Sequence, residues 1–282
     1  MNIKRHVEIK SNKRIEENLE ELQSEIPTFG NIAQKKNSGS LLGGVITYAY
    51  EAFSQSVALG KNPNIQINFI KLIADLGAAN FNCVLNDGKT FLFKIDGKTY
   101  EMMGSYHSSY TDAHKWLDCI YAAIAVRNEE AISILMQVPN TVFDKASKKV
   151  DPITYALVDV YKGLFGGIQD RSMLELISHA YTVADSDDAG RLDFIMTIFM
   201  PQLGIIRSIL SEGSEEEYNE LMHDAVLKHK QRWSSGEREY SYAGWVSLPL
   251  IALASIAFDH KGYRLNFETD YISRWLVERE FS

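Results

Sequence analysis

Three sets of residues have types and spacings that suit chemistry. His107, Asp112 and His114 stand in and beside a polar loop, GSYHSSYTD (residues 104–112), where imidazole, carboxylate and neighbouring serines are the parts of a base-activated nucleophile. Such a set would make a small helical hydrolase. It lacks the Gly-x-Ser-x-Gly elbow that exposes a nucleophilic serine, and Thr111 or Asp112, placed before an apolar run, also reads as a helix N-cap. Asp185, Asp187 and Asp188 in the turn DSDDAG offer oxygens to a hard cation, but no glutamate follows at the bidentate position of a calcium loop. Glu215, Glu216 and Glu217 open a helix, where the positive end of the helix dipole accommodates negative charge.

Two further patterns fail the same scrutiny. His223 and His229 are six positions apart, on different faces of one helix, and no His-Glu-x-x-His or Cys-x-x-Cys spacing occurs, so neither metal nor cofactor is expected. The glycines of Gly163-Leu164-Phe165-Gly166-Gly167 follow a helix and lack the Lys-Ser/Thr of a phosphate loop, which makes them a helix end and turn. The two acidic clusters are left as binding groups or as solvated caps.

Charge narrows what they would bind. The 282 residues carry 37 acidic and 29 basic side chains, a formal charge of -8, which disfavours direct nucleic-acid binding and suits a basic protein partner. Hydrophobic residues at 45% and charged residues at 23% are those of a globular protein with a sizeable core. Cys83 and Cys119 lie in apolar helical contexts, as buried thiols of a reducing compartment do. The opening MNIKRHVEIKSNKRIEEN has basic residues but no apolar stretch behind them, so a cytoplasmic location is expected.

The elements that must position these residues are mostly helical. Leu42, Val45, Ile46, Ala49, Phe53 and Val57 recur at steps of three and four, as do Tyr218, Leu221, Met222, Ala225 and His229. WLDCIYAAIAV (Trp116 to Val126) predicts a central helix, followed by a tight turn at Asn128 and a short helix stopped by Pro139. Further helices are predicted near 15–25, 66–82, 153–165, 172–184, 190–210 and 270–280. The run SLPLIALASIAFDHKGY (247–263) has about eleven apolar residues, short of the ~20 that cross a bilayer, and reads as a buried helix with Pro249 in its first turn and Gly262 at its end. No membrane contact is expected of it. Residues 86–102 alternate around Asp96-Gly97, which predicts a β-hairpin over about residues 90–102. Trp116 and Trp245 each head an apolar run and are expected in the core.

The expected fold is therefore mainly α, an array of antiparallel helix pairs with one small β-hairpin. Residues 1–83 form an N-terminal helical region and 84–282 the rest, the two packed as one compact unit. No repeat of about 34–45 residues recurs, which weakens a helical adaptor of the tetratricopeptide kind.

The order of landmarks carries more. A hairpin, Trp116 at a helix head, AIAVRNEEAISILMQVP (123–139), TYALVDVYKGLF (154–165) and GWVSLPLIALASIAFDHKGYRLNFETDYISRWLV (244–277) together resemble the bacterial immunity protein 49 family. The last segment is the most specific, with Asp259, Gly262, the extended stretch Tyr263 to Phe267, and Asp270-Tyr271. The resemblance implies a helical, non-enzymatic protein that neutralises a cognate toxin of a bacterial secretion system, often a nuclease, by covering its active site. It carries over no catalytic residues. A toxin with a basic active-site cleft would meet carboxylates, and Asp185, Asp187, Asp188, Glu215, Glu216 and Glu217 are the candidates for that contact.

Overall fold

Caps and apolar spacing set the helices of this chain largely where the sequence predicts them. The computed structural model describes residues 2–9, 13–166, 171–184, 191–211 and 213–281. Residues 11–150 with 165–167 form one compact unit, and residues 1–10, 151–164 and 168–282 form another. The strand β1 (Asn2–Ile3) belongs to the latter.

The unit built on residues 11–150 runs α1 (Lys13–Glu25), a 3-10 turn (Ile26–Thr28), α2 (Phe29–Lys36), α3 (Gly39–Ala58), α4 (Pro63–Leu85), β2 (Thr90–Ile95), β3 (Lys98–Met103), α5 (Ala113–Ala125), α6 (Glu129–Met136) and α7 (Asn140–Asp144). α3 and α4 fold back on each other, burying Leu42, Ile46 and Phe53 against a helix whose Ile70, Ile73, Leu76 and Phe81 are fully enclosed. Each such side chain contributes about 1.5–3 kcal/mol. Asn62 starts α4 by accepting the Asn64 amide at 2.8 Å, with Pro63 in the first turn where no donor is needed. Gly77 lets α5 come close, since a Cβ there would lie 2.5 Å from the Cβ of Cys119.

The hairpin forms as expected. Asp96 and Gly97 take φ of 51° and 72°, the left-handed pair that a two-residue turn requires, and Ile95 pairs with Lys98. Phe91, Phe93, Ile95, Tyr100 and Met102 face the core, while Leu92 and Lys94 face out. The sequence boundary between residues 83 and 84 falls inside α4, whose hydrogen-bonded turns continue to Leu85, and the hairpin clusters with the helices that precede it.

The other unit comprises β1, α8 (Pro152–Leu164), α9 (Met173–Ala184), α10 (Leu192–Phe194), a π turn (Ile195–Phe199), α11 (Met200–Leu210), α12 (Glu215–Trp233), α13 (Tyr242–Trp245), α14 (Leu248–Lys261), β4 (Glu268–Thr269) and α15 (Arg274–Val277). Of the helix predicted over 190–210, α10, the π turn and α11 cover Leu192–Leu210; the π turn stands just before Pro201, which has no amide to donate back along the helix. The helix predicted over 270–280 is a single turn. The predicted first residues are held in a turn, with the Asp270 amide donating to Ile3 O at 3.2 Å and Tyr271 O accepting the Ser247 amide at 3.0 Å, and Arg279 at φ 58° ends the helix.

α14 is buried nearly all round, from Leu248 to Ala257, and Gly262 closes it at φ 72° with its amide donating to Phe258 O. Together with α13 it makes a stretch, Tyr242–Lys261, of 20 residues and mean hydropathy 1.4, of which 72% is buried in the protein's own interior. Leu192–Leu210 is comparably long and apolar, and half of it is buried. The sequence reading of about eleven residues counted only the apolar run Leu248 to Phe258, whereas the longer stretch adds α13 before it and Asp259–Lys261 after it.

Candidate functional site

The hydrolase set dissolves into local structure. Asp112 caps α5, its Oδ1 accepting the amides of His114 at 3.1 Å and Lys115 at 3.2 Å. The His107 ring turns its Nδ1 to Ser109 O at 2.9 Å, and its Nε2 is buried with no hydrogen-bond partner, so no nucleophile is joined to it. Burial lowers the affinity of that ring for a proton.

Of the acidic candidates, Asp185, Asp187 and Asp188 lie outside the described residues. Glu215, Glu216 and Glu217 are exposed in the first turn of α12, behind Ser214, whose hydroxyl accepts the Glu217 amide at 3.1 Å. Glu215 also accepts the Arg264 amide at 2.7 Å, so one of the three has a structural partner. Glu216 and Glu217 are exposed, the Glu217 carboxylate lying close to Gly213. Among the described residues no three histidine, cysteine, aspartate or glutamate side chains gather closely enough to hold a metal ion.

The residues of the C-terminal motif do internal work. Asp270 Oδ2 accepts the Arg5 amide at 2.9 Å, and the Tyr271 hydroxyl accepts the His6 amide at 2.8 Å. The Arg5 guanidinium donates to Trp245 O and Asp270 O, both at 2.8 Å. These contacts, with the parallel pairing of β1 on β4, seat the first residues of the chain against the motif. His229 on α12 is buried beside Tyr271 and donates Nε2–H to Gly244 O at 3.1 Å; burial pushes it down to about 4, so it is neutral.

The concave feature that sequence reasoning missed lies in the unit of residues 11–150. A cleft of about 670 Å³ opens between the α1 corner, α4, the hairpin turn and the α5–α6 corner. Its walls are mixed: Ile26, Phe69, Leu72, Ile95 and Val126 supply the apolar part, and Asn68, Lys71, Asp75 and Asn128 are among the polar groups. Asp75 also lines a smaller cleft of about 230 Å³, which shares Asp75, Gly97 and Asn128 with the larger one. That size and lining are those of a ligand or side-chain receptor.

Asp75 is held by neutral donors. Asn128 Nδ2–H reaches Oδ1 at 2.9 Å, while the Asp96 amide at the hairpin turn reaches Oδ2 at 3.3 Å. Asn128 is itself fixed, since its Oδ1 accepts the Ala131 amide at 3.0 Å and caps α6. One carboxylate thus pins the hairpin turn and the α6 start to α4. Burial pushes Asp75 up to about 6, with the nearby Asp96 and Glu130 carboxylates adding to the effect. A signal was present in the sequence, because Lys71 and Asp75 are the only charged residues in α4.

The model of one family, immunity protein 49, matches residues 60–276 of the chain. No curated protein and no solved structure matches it. The matched span runs from the connection before α4 to α15 and contains Asp75, the hairpin, the capped α5–α6 corner and the Asp270–Tyr271 anchor. The chain belongs to the immunity protein 49 family.

Proposed function

We propose that the protein binds a cognate bacterial toxin, a secreted effector with a basic catalytic cleft such as a nuclease, and neutralises it by covering that cleft. The observation that carries this reading is the family match over residues 60–276. The charge of -8 and the exposed Glu216 and Glu217 support a basic partner, because a cleft that holds phosphate must be positive and carboxylates stand in for the phosphate. Asp185, Asp187 and Asp188 would extend the same acidic contact. A specific complex of this kind buries roughly 1,200–2,000 Å². The protein acts in the cytoplasm, by binding alone, and needs neither cofactor, membrane nor nucleic acid.

The test is co-production with the product of the neighbouring toxin gene. Survival of the producing cells and co-purification of the two proteins are expected. A toxin that kills equally well in the presence of the protein contradicts the reading. The hydrolase alternative has no support in the His107 geometry, where Nε2 meets no hydroxyl or thiol within hydrogen-bond reach.

A further inference from the structure

We propose that the cleft lined by Asp75 receives a lysine or arginine side chain of the toxin, its stem against Phe69 and Leu72 and its cation on the Asp75 carboxylate. This rests on the reading of the protein as a toxin-binding partner, and it names the chemistry of one contact.

Three observations carry it. The cleft sets apolar residues, Phe69, Leu72, Ile95 and Val126, beside the half-buried Asp75 carboxylate, a combination that suits a basic side chain with an aliphatic stem. The donors to Asp75, the Asp96 amide and Asn128 Nδ2–H, are neutral, so they orient the carboxylate without neutralising it. The charges that bear on it most are like charges, Asp96 at the turn and Glu130 on α6. A half-buried carboxylate among other carboxylates gains from an incoming cation more than an exposed one does, since the low-dielectric wall strengthens the attraction. Of the cations nearby, Lys94 on β2 is engaged by Glu130 at 2.9 Å, and Lys71 stands one turn before Asp75 on the same helix.

Binding of a cation must then weaken in acid. Asp75 is up at about 6 through burial, and one pH unit below that value a carboxylate is about tenfold less ionised. The groups facing it are Lys71, Lys94, Asp96 and Glu130. The loss follows the Asp75 carboxylate.

The experiment uses the full chain and n-hexylammonium chloride as probe, with hexan-1-ol as the uncharged control, read by amide chemical shifts. Saturable shifts at Asp75, Asp96 and Asn128 with the ammonium are expected, about tenfold weaker at pH 5 than at pH 7 and about tenfold weaker in Asp75→Asn. Equal binding by the alcohol, or unchanged binding by Asp75→Asn, overturns the proposal. Asn68→Lys, at the exposed cleft rim, places a resident ammonium there without touching the Asp75 hydrogen bonds, and is expected to compete the probe out. The same two variants are then tested against the toxin. If the parent chain protects cells and both variants protect as well, the cleft contact is refuted while the immunity function stands. If the parent chain binds the probe but protects against no toxin, the function fails independently of the cleft chemistry.

Discussion

Replacing Asp75 with asparagine removes the charge and keeps the shape, and its effect on stability depends on pH in a direction the structure fixes. Burial raises the folded carboxyl from an ordinary 3.8 to about 6. The unfolded chain therefore releases this proton at lower pH than the folded chain does. Ionisation costs the folded state stability as pH rises from 3.8 towards 6, and the cost is constant above that. Two pH units correspond to about 3 kcal/mol, which partial exposure reduces to about 1–2 kcal/mol. Asparagine pays no such cost, but it presents an amide to one of two donors and loses a hydrogen bond worth about 1 kcal/mol. The absolute change at pH 8 is accordingly small, whereas the difference between parent and variant shifts by about 1–2 kcal/mol between pH 4 and pH 8, with the parent relatively weaker at pH 8. Hydrogen exchange of amides in α4, corrected for intrinsic rates, measures it within the full chain. A difference that does not change with pH refutes the assignment of Asp75 as a half-buried, uncompensated carboxylate.

His229 predicts the opposite slope in the other unit: its folded value of about 4 lies below the ordinary 6.5, so stability is full above 6.5 and falls by about 3 kcal/mol as pH drops to 4, measured by urea unfolding. Changing Gly77 to alanine is expected to cost about 1–3 kcal/mol despite alanine's better helix propensity, because the new Cβ meets Cys119 at 2.5 Å; Cys119→Gly in the same chain should recover part of the loss in thermal unfolding. Asp112→Ala removes the cap of α5 and should lower stability by about 1 kcal/mol, while Asp112→Asn keeps most of it.

What the sequence made legible was local. The Asn128 turn, Pro249 and Gly262 around α14, the Asp96-Gly97 hairpin and the steps of three and four in α3 each depend on neighbours within a turn or two, and each appears where it was predicted. The failures involve distant partners. The last helix shrank to Arg274–Val277 because Asp270 and Tyr271 bond instead to Ile3 and Ser247, which no local pattern announces. The cleft draws on Ile26, α4, the hairpin turn and Asn128, spread over about a hundred residues, so its existence depends on the packing of α1 on α3 and of the hairpin on α4. The family landmarks had a different status, since Asp270 and Tyr271 hold the opening residues in place and thereby mark the scaffold more than the contact surface.

Survival of cells making the neighbouring toxin, with and without this chain, bears most directly on the proposed role. Full survival with the chain present, together with a stable complex of the two proteins at physiological salt, is the predicted result. Death at the same rate in both cultures, with both proteins soluble and folded, would contradict it.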